Sequence, residues 1–470
     1  MWYDEENDLP EGKAMALNSN RGITEGVIWK QILLFFFPIL LGSFFQQMYN
    51  TVDTIIVGRF VGTAALAAVG ASGPILSLIN GFFLGVSSGA TVIMSQYCGA
   101  SDREGISRAL HTGIALALTL GLLITVLGMT LAPAILRLIG TPEGCMADAV
   151  TYCRIMFGGA LASMLYNMGS GILRAMGDSR KPMIFLIVCC VVNIGADLIF
   201  VWGLNMGVTG AAVATVLAQV ISAVLVLRTL LRQEDEARLE PGKIRFHGRL
   251  LISILQIGIP AGIQLMVFDF SNLIVQSSIN SFGEAAVAAW VAFGKADGIT
   301  WMICGAFGIS VTTFAGQNFG AQKYDRMRRS VWVCLGLALL LEGGLALLEF
   351  IFREPLLGLF TTDREVIAIG ARMMARIVLF NVLFLPIEIL GGAMRGTGYA
   401  LVPTAIMIIC VCVARVLWVT VLVSRIHTIE MLCLAYPVTW GLCALVFGVV
   451  YFRGKWLSGR IAALGLEPEK

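Results

Sequence analysis

Two aspartates lie deep inside otherwise apolar stretches of the chain, Asp53 in a run that opens near residue 30 and Asp197 between Leu186 and Leu204. An ionisable side chain in a membrane's hydrocarbon region costs from about 2.5 kcal/mol upward, so each is a functional candidate unless a partner neutralises it. The basic residues of this half, Arg59, Arg154 and Arg174, fall towards the ends of their stretches. A buried carboxylate without a basic neighbour must hold a proton or coordinate a metal cation. Either is what an ion-coupling site requires. Asn193 precedes Asp197 by four residues and Asn50 precedes Asp53 by three, spacings that put each pair on one helix face. At a rise of about 1.5 Å per residue, Asp53, Asp197 and Thr215 each lie within about 10 Å of the same ends of their spans, so the three can share one layer. Oxygen donors suit protons and sodium alike.

The second half mixes signs within its apolar stretches: Asp269, Asp297, Glu342 and Glu388 stand alongside Lys295, Arg376 and Arg415. Two readings apply, mutual ion pairing and the lining of a central cavity. Lys295 and Asp297 are two residues apart and cannot face each other on a helix, so each needs a partner on another span. Gln46, Asp269, Lys295, Asp297 and Glu388 are the candidates for the cavity lining, with Asp269 or Glu388 as alternative coupling acids. Arg174 and Arg395 read as anchors at span ends.

Enzyme chemistry finds no support, because the chain has no phosphate-cradling GxxxxGK[ST] loop and no nucleophile with its base. The 11 cysteines form no CxxC pair and read as small core residues, and the 3 histidines, His111, His247 and His427, are far apart. No cofactor or metal is expected beyond a coupling proton, or a sodium ion at Asp53 and Asp197. A net charge of only +3 argues against nucleic-acid binding.

The elements that position these residues follow from composition. Of 470 residues, 57% are hydrophobic and 13% charged, against roughly 25% charged in soluble domains. Runs such as Ala109 to Pro133 and Val331 to Phe352 exceed the roughly 20 residues that cross a bilayer core. They are too long, and too apolar on every side, for barrel strands. The expected fold is therefore an all-α integral membrane protein with twelve spans, at about 30–57, 72–96, 109–132, 148–173, 182–204, 210–231, 250–282, 287–317, 330–352, 365–394, 402–424 and 431–452. The first 27 residues begin with Asp4, Glu5, Glu6 and Asp8 and lack the marks of a signal peptide. Most basic residues cluster in the two tails, in alternate loops and in the linker RQEDEARLEPGKIRFHGR. The positive-inside rule then places both termini in the cytoplasm of a plasma-membrane protein. The expected organisation is a tail (1–29), a first six-span lobe (30–231), a linker (232–249), a second lobe (250–452) and a second tail (453–470).

The halves are also repeats. Gln96-Tyr-Cys-Gly99-Ala100 recurs as Gln317-Asn-Phe-Gly320-Ala321, Arg174 with Gly177 and Pro182 recurs as Arg395 with Gly398 and Pro403, and Ala65-Leu-Ala-Ala68 recurs as Ala286-Val-Ala-Ala289, each 221 residues apart. An even-numbered unit makes the repeats parallel, related by an axis along the membrane normal, and such repeats typically flank a central path. Asp53 has no acidic counterpart, since the offset lands on Ile274. Pro38 and Pro260 lie near one another in this alignment, each inside a predicted helix that it can bend.

The segments Gln46-Gln-Met-Tyr-Asn-Thr-Val-Asp53-Thr-Ile-Ile-Val-Gly58, Ala64 to Gly70, Leu173 to Pro182, Phe314 to Gly320 and Met394 to Gly398 resemble the multidrug and toxin extrusion family, a likeness spanning residues 28 to 452. The resemblance implies a V-shaped two-lobe fold and efflux of amphipathic, often cationic small molecules, driven by inward protons or sodium. It matches Asp53, Asn193, Asp197 and Thr215 to the family's N-lobe cation site. The expected surroundings are membrane lipids around a monomer. A lipid-linked oligosaccharide flippase of the same superfamily is the alternative, and it would be expected to carry basic cavity residues for pyrophosphate.

Overall fold

The computed structural model describes residues 23–233, 237–463 and 465. The acidic start of the first tail, part of the linker and most of the last tail's acidic end lie outside the described residues. Among the described residues every regular element is helical, as it must be where lipid offers no partner for backbone N–H and C=O groups.

Among the described residues, eleven helices are long and apolar enough to cross a membrane. We number the spans α1 (Ile28–Phe60), α2 (Thr63–Ala100), α3 (Arg103–Leu138), α4, α5 (Arg180–Gly203), α6 (Gly207–Leu231), α7 (Gly248–Asn280), α8, α9 (Tyr324–Ile351), α10 (Arg364–Gly396), α11 (Leu401–Val423) and α12 (Ile429–Arg453). The twelfth expected span, α4, consists of Glu143–Gly158 and Ala160–Ala175, which meet at Gly159 and are each too short to cross alone. α8 is likewise built from Glu284–Ala296 and Gly298–Gly320, broken at Asp297. The largest departure from the expected ends is at α2, which starts about nine residues early. Its first turns are rich in alanine, a strong helix former, and carry few of the large aliphatic side chains that announce a span. Large apolar side chains such as Leu340, Leu445 and Val191 stand outward, 72%, 72% and 67% exposed, as lipid contacts.

Within the first half α1 packs on α5, α5 on α6 and α3 on α4; within the second α8 packs on α10 and α10 on α12. The halves meet where α2 crosses α7 and α8. Glycine sets that crossing: a Cβ on Gly85 would lie 2.2 Å from the Cα of Gly262, and one on Gly89 2.3 Å from the carbonyl oxygen of Ile254. Bare backbone at such positions lets membrane helices approach closely and gain dispersion contacts that lipid cannot supply. The repeat is visible in the contact itself. A Cβ on Gly99 would lie 1.9 Å from the Gln317 carbonyl oxygen, and one on its repeat mate Gly320 would lie 2.0 Å from the Gln96 carbonyl oxygen. Gln96 Nε2 donates to the Gly396 carbonyl at 2.9 Å, and Gln317 Nε2 to the Ala175 carbonyl at 2.7 Å. Gln96 with Gln317, and Ala175 with Gly396, are again 221 residues apart. Each half therefore latches the other by the same pair of bonds.

This closed end is also the basic one. Arg326 donates to the carbonyls of Ile23 and Gly26 and to Gln31 Oε1, and Lys323 to the Thr24 carbonyl, tying the start of α1 to the first turn of α9 and the loop before it. A short helix after α12, α13 (Trp456–Ala463), returns to the same end, where Arg460 Nε donates to the Thr397 carbonyl at 3.1 Å. His247 contacts Thr112 Oγ1 at 2.9 Å and His111 Nε2 accepts from the Glu240 amide at 3.0 Å, so two of the three histidines fasten the linker to α3.

Because backbone fills the space beside Gly99 and Gly320, Gly99→Ala or Gly320→Ala should destabilise the folded chain by about 1–3 kcal/mol, the usual cost of overpacking. Thermal unfolding of the detergent-solubilised variants measures this; unfolding at the wild-type midpoint would show that the crossing is looser than described.

Candidate functional site

Asp197 ends the α-helical part of α5, and the backbone continues through a wider π-helical turn, Leu198–Gly203. Such turns change which way the following side chains face and concentrate at functional sites. One turn earlier Asn193 points to the same side, its Nδ2 donating to Thr215 Oγ1 of α6 at 3.4 Å. α1 runs along α5 and brings Asp53 within hydrogen-bonding reach of Asp197, carboxyl facing carboxyl. All four side chains are buried: Asp197 and Asn193 are 0% exposed, Asp53 and Thr215 7%.

Four oxygens in this pocket have no donor: Asp53 Oδ1, Asn193 Oδ1, and both Oδ1 and Oδ2 of Asp197. Among the described residues no lysine or arginine forms a salt bridge with either acid. Two carboxylates without donors in a medium of low dielectric constant cannot both stay bare and charged. The pocket is satisfied by a proton shared between the acids or by a small cation ligated through oxygen.

The remaining predicted residues separate. Asn50 is exposed, and its carbonyl accepts from Thr54 Oγ1 rather than its amide joining the pocket. Three residues advance a helix by about 300°, leaving Asn50 about 60° off the direction of Asp53. Gln46 is exposed, one turn before the buried Tyr49. Asp269 accepts from Ser77 Oγ at 2.8 Å, a polar bond between α7 and α2. Lys295 is exposed, whereas Asp297 is buried and its Oδ1 and Oδ2 accept from Asn381 Nδ2 and Trp301 Nε1, each at 2.7 Å. Glu388 pairs with Arg395 Nη2 at 2.9 Å, so the two are partners rather than a lone cavity acid and a separate anchor. Arg376, with Arg372, pairs with Glu430. Mutual ion pairing thus accounts for Glu388 and Arg376 but not for the fully buried Arg415, nor for Asp297, Glu342 and Glu349.

Tyr152 of α4 is the residue that sequence reasoning missed beside the pocket. It is 5% exposed and electrostatically close to both Asp53 and Asp197. The only advance signal was a polar ring in a span, with nothing to say which neighbour it would meet.

α1 serves both halves. Near its start Phe36 stacks on Phe307 of α8, with centroids 4.1 Å apart, and Phe35 meets Phe314 edge-on. Further along it carries Asp53 into the first half's pocket, and Pro38 stands between the two regions.

The comparisons agree with this arrangement. The MatE family model matches residues 38–199 and 260–420, two segments whose ends differ by the 221-residue repeat offset. A probable multidrug resistance protein of Bacillus subtilis, YoeA, is 30% identical over 448 residues, covering 93% of this chain and 96% of that protein. The probable multidrug resistance protein NorM of Thermotoga maritima is 27% identical over 397 residues, covering 83% and 84%. A solved transporter of the MOP superfamily from Pyrococcus furiosus superposes with a TM-score of 0.87 at 22% identity, covering 96% of this chain and 99% of that one. With the family model matching both repeats, and a two-lobe helical fold shared with solved transporters, this chain belongs to the MatE family, the multidrug and toxin extrusion transporters.

Proposed function

We propose that the protein is a secondary antiporter that exports amphipathic organic cations in exchange for inward movement of protons or sodium, with its termini in the cytoplasm. The observation that carries this is the pocket of Asp53, Asn193, Asp197 and Thr215, with four unpartnered oxygens and, among the described residues, no salt bridge to either acid. A charge exchanger needs a site that is unstable when empty and neutral when loaded, and such a site need not be supplied with energy from ATP. The placement of the basic, closed end in the cytoplasm follows the positive-inside rule.

The coupling we propose runs along α1. Loading Asp53 neutralises a carboxylate that burial disfavours and lets that segment pack more tightly against α5, while the first turns stay held to α8 through Phe36 and to α9 through Arg326. Pro38 supplies the break in the backbone ladder at which such a helix bends. Cation and drug then compete through the shape of one helix, and by linkage each must weaken the other's binding by the same factor.

The reading is tested with purified protein in proteoliposomes. A fluorescent organic cation should leave only under an imposed proton or sodium gradient, and Asp53→Asn should abolish that dependence while the protein stays folded. Robust gradient-coupled efflux by Asp53→Asn would sink the assignment of the site. Pro38→Ala restores one backbone bond in α1 and should slow coupled efflux at least about tenfold, the equivalent of about 1.4 kcal/mol on the rate-limiting barrier; an unchanged rate would remove the hinge from the mechanism.

A further inference from the structure

On the outer side of the second half, α9 and α12 meet at the basic end through two exposed aromatic rings. Trp332 stacks on Phe452 with centroids 5.6 Å apart and an interplanar angle of 16°, yet the two remain 51% and 58% exposed. Span ends are where tryptophan and its aromatic relatives meet the boundary between hydrocarbon and headgroups. Arg328 and Arg329 stand one turn before Trp332, and Arg453 and Lys455 follow Phe452, all four exposed. Arg328 is electrostatically close to Tyr451 of α12, so these charges gather over one seam. Asp325 is the opposing charge in the first turn of α9. Among the described residues, neither it nor any other carboxylate forms a salt bridge with Arg329, Arg453 or Lys455.

The surface beneath the rings is notched. α9 and α12 run in opposite directions, so Gly336, four residues after Trp332, and Gly448, four before Phe452, lie at one depth, roughly 6 Å further into the membrane and on nearly the same faces as the rings. A Cβ on either glycine would meet nothing within 4 Å. Beyond the notch Leu339 and Leu445, 42% and 72% exposed, continue an apolar wall. The first half closes the corresponding place with its own chain. The 221-residue offset carries Trp332 to His111 and Phe452 to Leu231. There the linker bridges the two helices, the Glu240 amide bonding His111 and the Leu239 amide the Leu230 carbonyl at 2.9 Å. In the second half the chain after α12 is held at Thr397 by Arg460 instead, and the ring pair stays bare.

We propose that this seam binds one anionic phospholipid of the adjoining leaflet, its phosphate between Arg329 and Arg453, its glycerol against Trp332 and Phe452, and an acyl chain in the notch at Gly336 and Gly448. Charge selects the acidic headgroup, because each lysine or arginine near an anionic lipid surface strengthens attachment about fivefold. The apolar notch selects for a chain, which a free phosphate ester lacks. A lipid seated there ties α9 to α12, as the linker ties α3 to α6 in the other half. On the orientation proposed above this is the cytoplasmic leaflet, and the site does not depend on which compound is exported.

The test uses the full chain in detergent, with bound lipid counted by native mass spectrometry as phosphatidylglycerol or phosphatidylcholine of the same acyl chains is titrated. One phosphatidylglycerol should bind saturably, and at least about tenfold more tightly than phosphatidylcholine. Arg329→Gln and Arg453→Gln should each weaken it about fivefold. Gly336→Leu, which fills the notch where a side chain meets no neighbour, should weaken it as well. Arg180→Gln, at the same end but outside the seam, should leave binding unchanged. Equal retention of the two lipids, equal losses from Arg180→Gln and Arg329→Gln, or full binding by Gly336→Leu would each overturn the proposal. Glycerol phosphate that displaces the lipid at equal concentration would show a site for a soluble anion and overturn it too.

Discussion

Everything in this structure depends on how closely α2 can lie against α7 and α8. Gly85, Gly89, Gly99 and Gly320 leave no side chain at the crossing, so backbone meets backbone. In lipid no hydrophobic effect drives helices together, and close dispersion contact is what remains. Because the same contact occurs twice, once from each repeat, it acts as a pseudo-symmetric axle. Gln96 and Gln317 reach across it to equivalent carbonyls. These side-chain bonds are few and end on backbone acceptors, so they can exchange with water when the halves part. Each half keeps its own internal packing, as a rocking unit requires.

Much of this was legible in the sequence, and the reasons differ by feature. Apolar runs and one constant offset predict twelve helices in two repeats because span length and duplication leave long-range marks. The grouping of Asp53, Asn193, Asp197 and Thr215 could be read from helical phase and depth alone, since spans in a membrane share a common origin for counting. Phase also shows where that reading failed. Asn50 was expected beside Asp53 on a spacing of three, but the remaining 60° of rotation carries it to the surface. Glu388 and Arg395 are seven apart, two helical turns, and so lie on one face, a relation that the sequence contained and that their separate roles concealed.

What could not be read was anything set by contacts between spans. Asp297 stands at a helix break and takes its partners from Trp301 and from Asn381 on another span. The break has a local signal in Asp297-Gly298, a dipeptide that favours turns, but the partner Asn381 has none. The early start of α2 has no strong signal because its first turns are mostly small residues, with alanine carrying the helix and few large aliphatic side chains to mark a span. The failure of simple ion pairing to explain Arg415 belongs to the same class: a list of acids and bases in one half invites pairing, and only geometry shows which charges are left over.

Those leftover charges are not scattered. The unpartnered acid of α5 and the unpartnered guanidinium of α11 lie within one helical turn of each other after the offset, which carries Asp197 to Trp418 and Arg415 to Ile194, and each stands near a π-helical turn, Leu198–Gly203 or Trp418–Val423. Duplication supplies two copies of a backbone geometry that tolerates a buried polar group, because the widened turn loosens the regular ladder there. Divergence then assigns each copy a charge. Two acidic pockets would attract the same cation and duplicate one task. Opposite signs instead give the two lobes different electrostatics, so that the carboxylate oxygens left without donors in the first have no copy beside Arg415 in the second.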